Sequence, residues 1–417
     1  MLKEQVPASP RIIGKNPIKI AQRANIPINI IKSINGGYFL VFDTTYDVVE
    51  ILKLLSLAFE ERAVVSSLET TFFDYDQNLE NKIYFFIEIK AAFLIIDEDE
   101  LNTFLKSYTD VLVDINNSYF IGATESLDTL NKGKEPTWPS DIINLYKTNL
   151  TGKGISVAVL DTGINLRHPY FSTTSNRIKK HSFVGDNCND LWGHGTHCTG
   201  IACGFINGST RYGVAISSNI FVGKIIDNTR KSSKFNILRG ILWAIKMGCS
   251  VINLSYSINN YGDRPYDCLY ERAINYALSK GSLVVCGVGN ESERPDRIRP
   301  IGSPADCPSA IAVNGLGKNG EVWNQSNRAY FRLGQRMDFI APAEDIYSTW
   351  STTDYEYESG TSMATAFVSG ILALYWEKHG KNANPFLVLG DAMHNSKTGH
   401  WSRKDAGIGL ISAPSIK

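Results

Sequence analysis

The sequence predicts an α/β protein built on a mainly parallel, buried sheet and preceded by a small ferredoxin-like α+β domain. Three observations carry this. Residues 155–160, apolar but for Ser156, and 283–288 are runs of strand length, as strands covered on both faces require. Residues 363–376 are apolar on nearly every side (Ala364, Phe367, Val368, Ile371, Leu372, Leu374), which marks a helix inside a large core. The first third of the chain alternates strand and helix patterns in the order β-α-β-β-α-β, which suits two helices on one face of an antiparallel sheet.

The 417 residues leave room for one large domain and a smaller one. Forty-two Lys and Arg balance forty-two Asp and Glu, dispersed along the chain, so there is no basic footprint for nucleic acid. No apolar run approaches the roughly 20 residues needed to span a bilayer. Residues 1–25 lack the apolar core of a signal peptide, so the expectation is a cytoplasmic protein with no membrane partner. The seven cysteines begin only at Cys188 and are odd in number, which fits reduced thiols. Spacings such as Cys198 to Cys203 match no zinc pattern.

In chain order, Pro7, Pro10, Pro17 and Pro27 break up residues 1–35, which read as an arm. Residues 38–43 read as a strand, 46–62 as a helix with Val48, Ile51, Leu54, Leu55 and Ala58 on one face, and 63–71 as a strand. After a turn-rich break at 74–81 come a strand over 82–96, a helix over 97–110 capped by Asp97, and a strand over 111–121. The expected organisation is an arm to residue 35, a small domain over 36–122, a linker over 123–135 and a large domain over 136–417.

The chemistry lies in the large domain. The run 155–160 ends on Asp161-Thr162-Gly163, an acid at the carboxyl end of a parallel strand, where α/β proteins place ligands. Gly193-His194-Gly195-Thr196-His197-Cys198-Thr199-Gly200 is a glycine-bracketed entry to a helix, with His194 at its mouth. The run 283–288 gives way to Gly289-Asn290, and Gly360-Thr361-Ser362 opens the buried helix, whose first N–H groups face outward. Together Asp161, His194, Asn290 and Ser362 supply an orienting carboxylate, a general base, an amide donor and a nucleophile. Each alone reads as ordinary: a capping acid, a core histidine, a loop amide, a helix cap. The joint pattern points to acyl transfer.

Residues 157–163, 193–200 and 360–370 resemble the three signature blocks of the subtilisin-like serine peptidases, in that family's chain order of Asp, His and Ser. Cys198 after His197, with Ile346-Tyr347-Ser348-Thr349-Trp350, resembles the proteinase K branch. The resemblance runs from about residue 136 to the ending at 407–411. It implies a subtilisin-like three-layer fold and a serine endopeptidase working through an acyl-enzyme, with Asn290 and the Ser362 N–H as oxyanion hole. His197 then reads as structural and Cys198 as a buried bystander.

The resemblance also implies an extended peptide or protein substrate held by strand addition between Ser255-Tyr256-Ser257 and Ser232-Ser233, with Gly287 and Gly302 lining the pocket for the side chain before the cleaved bond. Ser257 departs from the family's usual glycine, and no glycine follows Arg230 and Lys231 before Lys234, a basic stretch beside the cleft. No cofactor is needed for the chemistry, but Asp338 matches a family calcium ligand that carbonyls of Pro308 and Ala310 would complete. The first third resembles the family's inhibitory propeptide, which makes the N-terminal domain an intramolecular inhibitor. Its tail, 118–126, would lie along the substrate edge and be cut between Gly122 and Pro136. Ala366 stands where the family has proline, which raises the possibility of a peptide ligase or macrocyclase. The same fold would also serve a peptide-maturation protease or a non-catalytic peptide binder, and retention of all four groups argues against the binder.

Overall fold

A computed structural model of the chain describes residues 37–43, 45, 47–59, 62–66, 82–96, 98–107, 111–115, 118–120, 137–185, 187–204, 206–207, 210–258, 265–351 and 354–415. The arm at 1–35, the break at 74–81, the Asp97 cap and the linker at 123–135 lie outside these residues. The chain forms two compact units, one reaching to Ser118 and taking in Ser233–Phe235, the other Tyr119–Ser232 with Asn236–Lys417.

In the first unit, β1 (Gly37–Val41), α1 (Val48–Ala58), β2 (Ala63–Ser66), β3 (Lys82–Phe86), β4 (Ala91–Ile95), α2 (Glu98–Ser107) and β5 (Leu112–Ile115) follow in order. The sheet runs β2-β3-β4-β1-β5, antiparallel except for the β2–β3 pair. Alternate strand residues Leu40, Phe42, Ile83, Phe85, Ala92 and Leu94 share one core with Ile51 and Leu55 of α1 and Leu101 and Phe104 of α2, as the period of two dictates. Asp47 starts α1 with a capping box closed by Glu50. On the opposite face Phe39 and Phe93 are buried, and Phe235 stacks on Phe93 at 4.2 Å.

One expectation is corrected here. Residues 82–96 form two antiparallel strands, β3 and β4, joined by a 3-10 turn at Ile87–Ile89, so the sheet has a fifth strand. The run is largely apolar, broken only by Lys82, Glu88 and Lys90, and holds no glycine, asparagine or proline to announce the turn. Instead Lys90 takes a left-handed φ of 46°, a conformation usually left to glycine.

The second unit is organised by eight strands: β7 (Ser156–Asp161), β8 (Ile178–Ser182), β9 (Asn219–Lys224), β11 (Val251–Leu254), β12 (Leu283–Gly287), β13 (Ile311–Leu316), β14 (Phe339–Pro342) and β17 (Gly409–Leu410). They lie in the order β17-β14-β13-β12-β11-β7-β9-β8, and every pairing is parallel. A parallel sheet brings all carboxyl ends to one edge, so Asp161 of β7, Leu254 of β11 and Gly287 of β12 finish on the same side. Three two-stranded pairs lie outside this sheet: β6 (Ser118–Phe120) with β10 (Lys231–Ser233), the antiparallel β15 (Ile346–Thr349) with β16 (Tyr355–Glu358), and the short antiparallel pair Ile206–Asn207 with Thr210–Arg211.

Two helices run through this core. All of α3 (His194–Cys203) is buried, as are fifteen of the residues in α6 (Thr361–His379), which is why neither shows an apolar stripe. Between them in sequence lie α4 (Lys234–Lys246) and α5 (Cys268–Ser279). The helices α3 and α6 approach closely at Gly370, where a Cβ would stand 2.6 Å from the Ala202 carbonyl oxygen and 2.6 Å from Val214. No disulfide joins any of the seven cysteines, and no helix among the described residues is long and apolar enough to cross a membrane. Gly370→Ala should therefore cost about 1–3 kcal/mol by overpacking, read as a lower denaturant midpoint at unchanged slope. An unchanged midpoint would show that the two helices have slack there.

Candidate active site

Asp161 ends β7 with no exposed surface. Its Oδ1 accepts from the Thr162 N–H at 2.7 Å and faces Nδ1 of His194 at 2.7 Å. A carboxylate can only accept there, so Nδ1 carries the proton and Nε2 is left basic. His194 opens α3, and the preceding Gly193 needs both its left-handed φ of 120° and its missing side chain, because a Cβ would meet the Trp350 ring at 2.5 Å. Asp190, not singled out in the sequence, fixes this helix mouth. One of its oxygens takes the N–H groups of Trp192 (3.1 Å) and Gly193 (2.8 Å), the other the N–H and hydroxyl of Thr196 (2.8 and 2.7 Å). Lys224, fully buried at the end of β9, holds the turn after Asp161 by donating to the carbonyls of Thr162 (2.5 Å) and Asn189 (3.2 Å) and to Asn228 Oδ1 (2.9 Å).

Burial opposes a charged imidazole at His194, but the Asp161 carboxylate, with the Cys198 sulfur behind it, outweighs burial and holds the His194 pKa well above the ordinary histidine range. Burial and the neighbouring His194 push His197 the other way, to about 3, and its Nε2 contacts the Ile346 carbonyl at 2.9 Å, so it is neutral and structural. Cys198 lies 4.0 Å from His194 Nδ1, and burial pushes its thiol up, which leaves it inert. Trp192 stacks on the His194 ring at 5.1 Å and 20°, and the Arg230 guanidinium lies over Trp192 at 4.3 Å.

Ser362 stands in the first turn of α6 and shares a cavity of about 70 Å³ with His194, Ser255, Gly287 and Asn290. No hydrogen bond joins its hydroxyl to His194 among the described residues; such contacts commonly tighten only once substrate is bound. The Asn290 amide is oriented by Thr361, whose N–H (3.0 Å) and hydroxyl (2.8 Å) both donate to Oδ1. With Oδ1 so engaged, the NH2 is the end of this cavity-lining amide that can donate elsewhere. Asn327 supports the same turn, donating to the Val288 carbonyl (3.1 Å) and Glu291 (2.6 Å). The serine is tied from below: Ser255 Oγ donates to the Ser362 carbonyl (3.0 Å), Asn253 Nδ2 donates to Ser255 Oγ (2.9 Å), and Ser369 Oγ donates to Asn253 Oδ1 (3.0 Å).

Of the residues expected to hold substrate, Ser255, Tyr256, Ser257 and Gly287 line this cavity. Gly302 does not. It lies behind Ser257, where a Cβ would come within 2.2 Å of the serine hydroxyl, and its neighbour Ser303 exchanges two backbone bonds with Ile258. Ser232 and Ser233 are also absent from the cavity lining; they belong to β10, which is paired with β6, and Ser232 donates to the Ile225 carbonyl at 2.7 Å. Glu291, Glu358, Ser359 and Met363 line the cavity without having been expected to. Within the basic stretch, Arg230 covers Trp192 and Lys234 pairs with Asp114 at 2.7 Å.

The expected calcium ligands do not fit an ion. Asp338 Oδ2 accepts from the Ala312 N–H (2.8 Å), Oδ1 accepts from Arg336 Nε (3.1 Å), and the other arm of the same guanidinium donates to the Ala310 carbonyl (3.0 Å). Pro308 is exposed, and nothing links it to Asp338 among the described residues.

The chain is similar to known proteins. The sequence model of the subtilase family matches residues 152–400, more than half of the chain. M-protease of Shouchella clausii (strain KSM-K16) is 33% identical over 271 residues, covering 64% of this chain and 65% of its own, so the likeness spans just under two thirds of that relative. Among solved structures, the S41 psychrophilic protease superposes with a TM-score of 0.57 at 29% identity, covering 68% of this chain and 100% of its own. The epidermin leader peptide processing serine protease of Staphylococcus aureus reaches 0.68 over 90% of this chain and 97% of its own; at 19% identity that is a likeness of fold alone.

A pH dependence follows. Since only the neutral imidazole is a base and Asp161 raises its pKa, kcat/KM for hydrolysis of an activated ester should rise with pH about a midpoint above roughly 6.5. Asp161→Asn should move the midpoint down and lower kcat by about 10⁴-fold. A parental midpoint at or below that of free histidine would contradict the Asp161–His194 coupling.

Proposed function

Because the chain belongs to the subtilase family, we propose that it is a serine endopeptidase. The observation that carries the reading is the convergence on one cavity of an imidazole bonded to a buried carboxylate, a serine in the first turn of a buried helix, and an asparagine amide whose orientation is fixed. In this reading Ser362 attacks the scissile carbonyl, His194 Nε2 takes its proton and returns it to the leaving amine, and Asp161 stabilises the imidazolium. The Asn290 NH2 and the Ser362 N–H bind the oxyanion. Water then enters and the same groups resolve the acyl-enzyme. Ala366 is fully buried in α6 and is not among the cavity's lining residues, so no observation favours ligation over hydrolysis. Fluorophosphonate should label the parent at Ser362 and leave Ser362→Ala unlabelled and inactive; turnover near the parental rate in Ser362→Ala would end this assignment.

The N-terminal domain, residues 36–122, reads as an intramolecular inhibitor. Support comes from its fold, two helices on one face of a mainly antiparallel sheet, which resembles the family's propeptide. The intact mass of the parent should show one cut between Gly122 and Pro136, with Ser362→Ala at full length. A full-length, active parent would instead make the domain a permanent accessory.

The cavity also suggests a substrate class. Two carboxylates, Glu291 and Glu358, line it, and no lysine or arginine does among the described residues. Glu291 is drawn toward protonation by burial, which the hydrogen bond from Asn327 counters. A lysine or arginine beside the scissile bond would complete the charge balance. Glu291→Gln should lower the ratio of kcat/KM for lysyl over phenylalanyl substrates about tenfold, worth roughly 1.4 kcal/mol. An unchanged ratio would remove Glu291 from specificity.

A further inference from the structure

The corner of the fold around Asp338 has an internal cation. The carboxylate is 4% exposed, yet three donors converge on it and its neighbour: the Ala312 N–H on Oδ2, Arg336 Nε on Oδ1, and the second arm of Arg336 on the Ala310 carbonyl. Calcium takes oxygen ligands at about 2.3–2.6 Å, so an ion shared by Asp338 and Ala310 would have to stand where the guanidinium stands. The Arg336 side chain is itself half exposed, so the charge reaches the buried carboxylate from the solvent side, as a bound ion would. Its planar fork is always charged and bonds two acceptors at fixed spacing. We propose that Arg336 replaces a metal ion at this site, neutralising Asp338 and tying the Ala310 segment to the start of β14 without calcium.

Burial pushes the Asp338 carboxyl up even with the guanidinium beside it. Removal of Arg336 thus leaves a buried acid that must take up a proton or recruit a cation. The oxygens of Asp338 and Ala310 would then be open to calcium, and a site closed in the parent would become a metal site in the variant.

The test is thermal unfolding of the full chain in the Ser362→Ala form, which prevents self-digestion, in EGTA and in calcium chloride. Define the calcium response as Tm in calcium minus Tm in EGTA. Adding Arg336→Gln should lower Tm in EGTA by about 5 °C or more. It should also make the calcium response exceed that of the Arg336 form by several degrees, because an ion that binds only the native state stabilises by mass action. Adding Asp338→Asn to Arg336→Gln should abolish the gain. Equal calcium responses with and without Arg336, or a gain that survives Asp338→Asn, overturns the proposal. Should Arg336→Gln not fold in EGTA, Arg336→Lys decides. It keeps the charge and should show no calcium response beyond that of the Arg336 form, and an added response would show that the residue does not serve as the site's cation.

Discussion

Asp161 stands at the carboxyl end of β7 with no exposed surface, and a charge buried so completely costs several kcal/mol unless its neighbours compensate. Much of the second unit can be understood as that compensation. The Thr162 N–H and the imidazole of His194 share one oxygen. The Thr162 hydroxyl takes the Gly195 N–H at 2.8 Å, which seats the first turn of α3 against the turn that follows the strand. Lys224, on the adjacent parallel strand, draws the same turn in by its carbonyl. The imidazole is therefore positioned from the sheet outward, and its pKa is raised, against its own burial, by the carboxylate it faces.

Much of this is legible in the sequence because buried parallel strands and buried helices are apolar on all sides. Residues 155–160 and 283–288 can hardly be anything but core strands, and each ends on the polar residue that its position at the sheet edge calls for. Asp161, His194, Asn290 and Ser362 are legible as a set for that reason. What escapes is whatever depends on a partner distant in sequence. Thr361 reads as part of a turn until its contact with Asn290, 71 residues away, gives it the task of aiming the amide. Asp190 and Lys224 carry charges in the interior that no periodicity marks. The hairpin at residues 82–96 escapes because a lysine makes its turn, and Arg336 because a guanidinium two residues before an acid is indistinguishable, in a string of letters, from an ordinary surface charge.

The segment after Asn290 shows how the interior uses charge to fix shape. Asp405, 3% exposed, receives Arg294 at 2.6 Å and both arms of Arg328 at 2.9 and 2.6 Å. Arg294 follows Asn290 by one short stretch of chain, so the segment leaving the amide is anchored to α7 (Arg403–Ala406) near the carboxyl terminus. Asn314 adds a bond from β13 to the Asp405 carbonyl at 2.8 Å. Removing one member would leave buried charges unmatched, and the loss would be felt at the turn that holds Asn290.

The bonds that run from Ser369 through Asn253 and Ser255 back to Ser362 close a ring, since the backbone of α6 joins its two ends. A ring has no loose end. One residue of slip along the helix axis is about 1.5 Å, enough to part the bonds at both ends together, so intermediate positions have nothing to hold them. The height of Ser362 above the sheet is thus set like a bolt in a latch, by strand β11, and not by the length or sequence of the loop that leads into the helix.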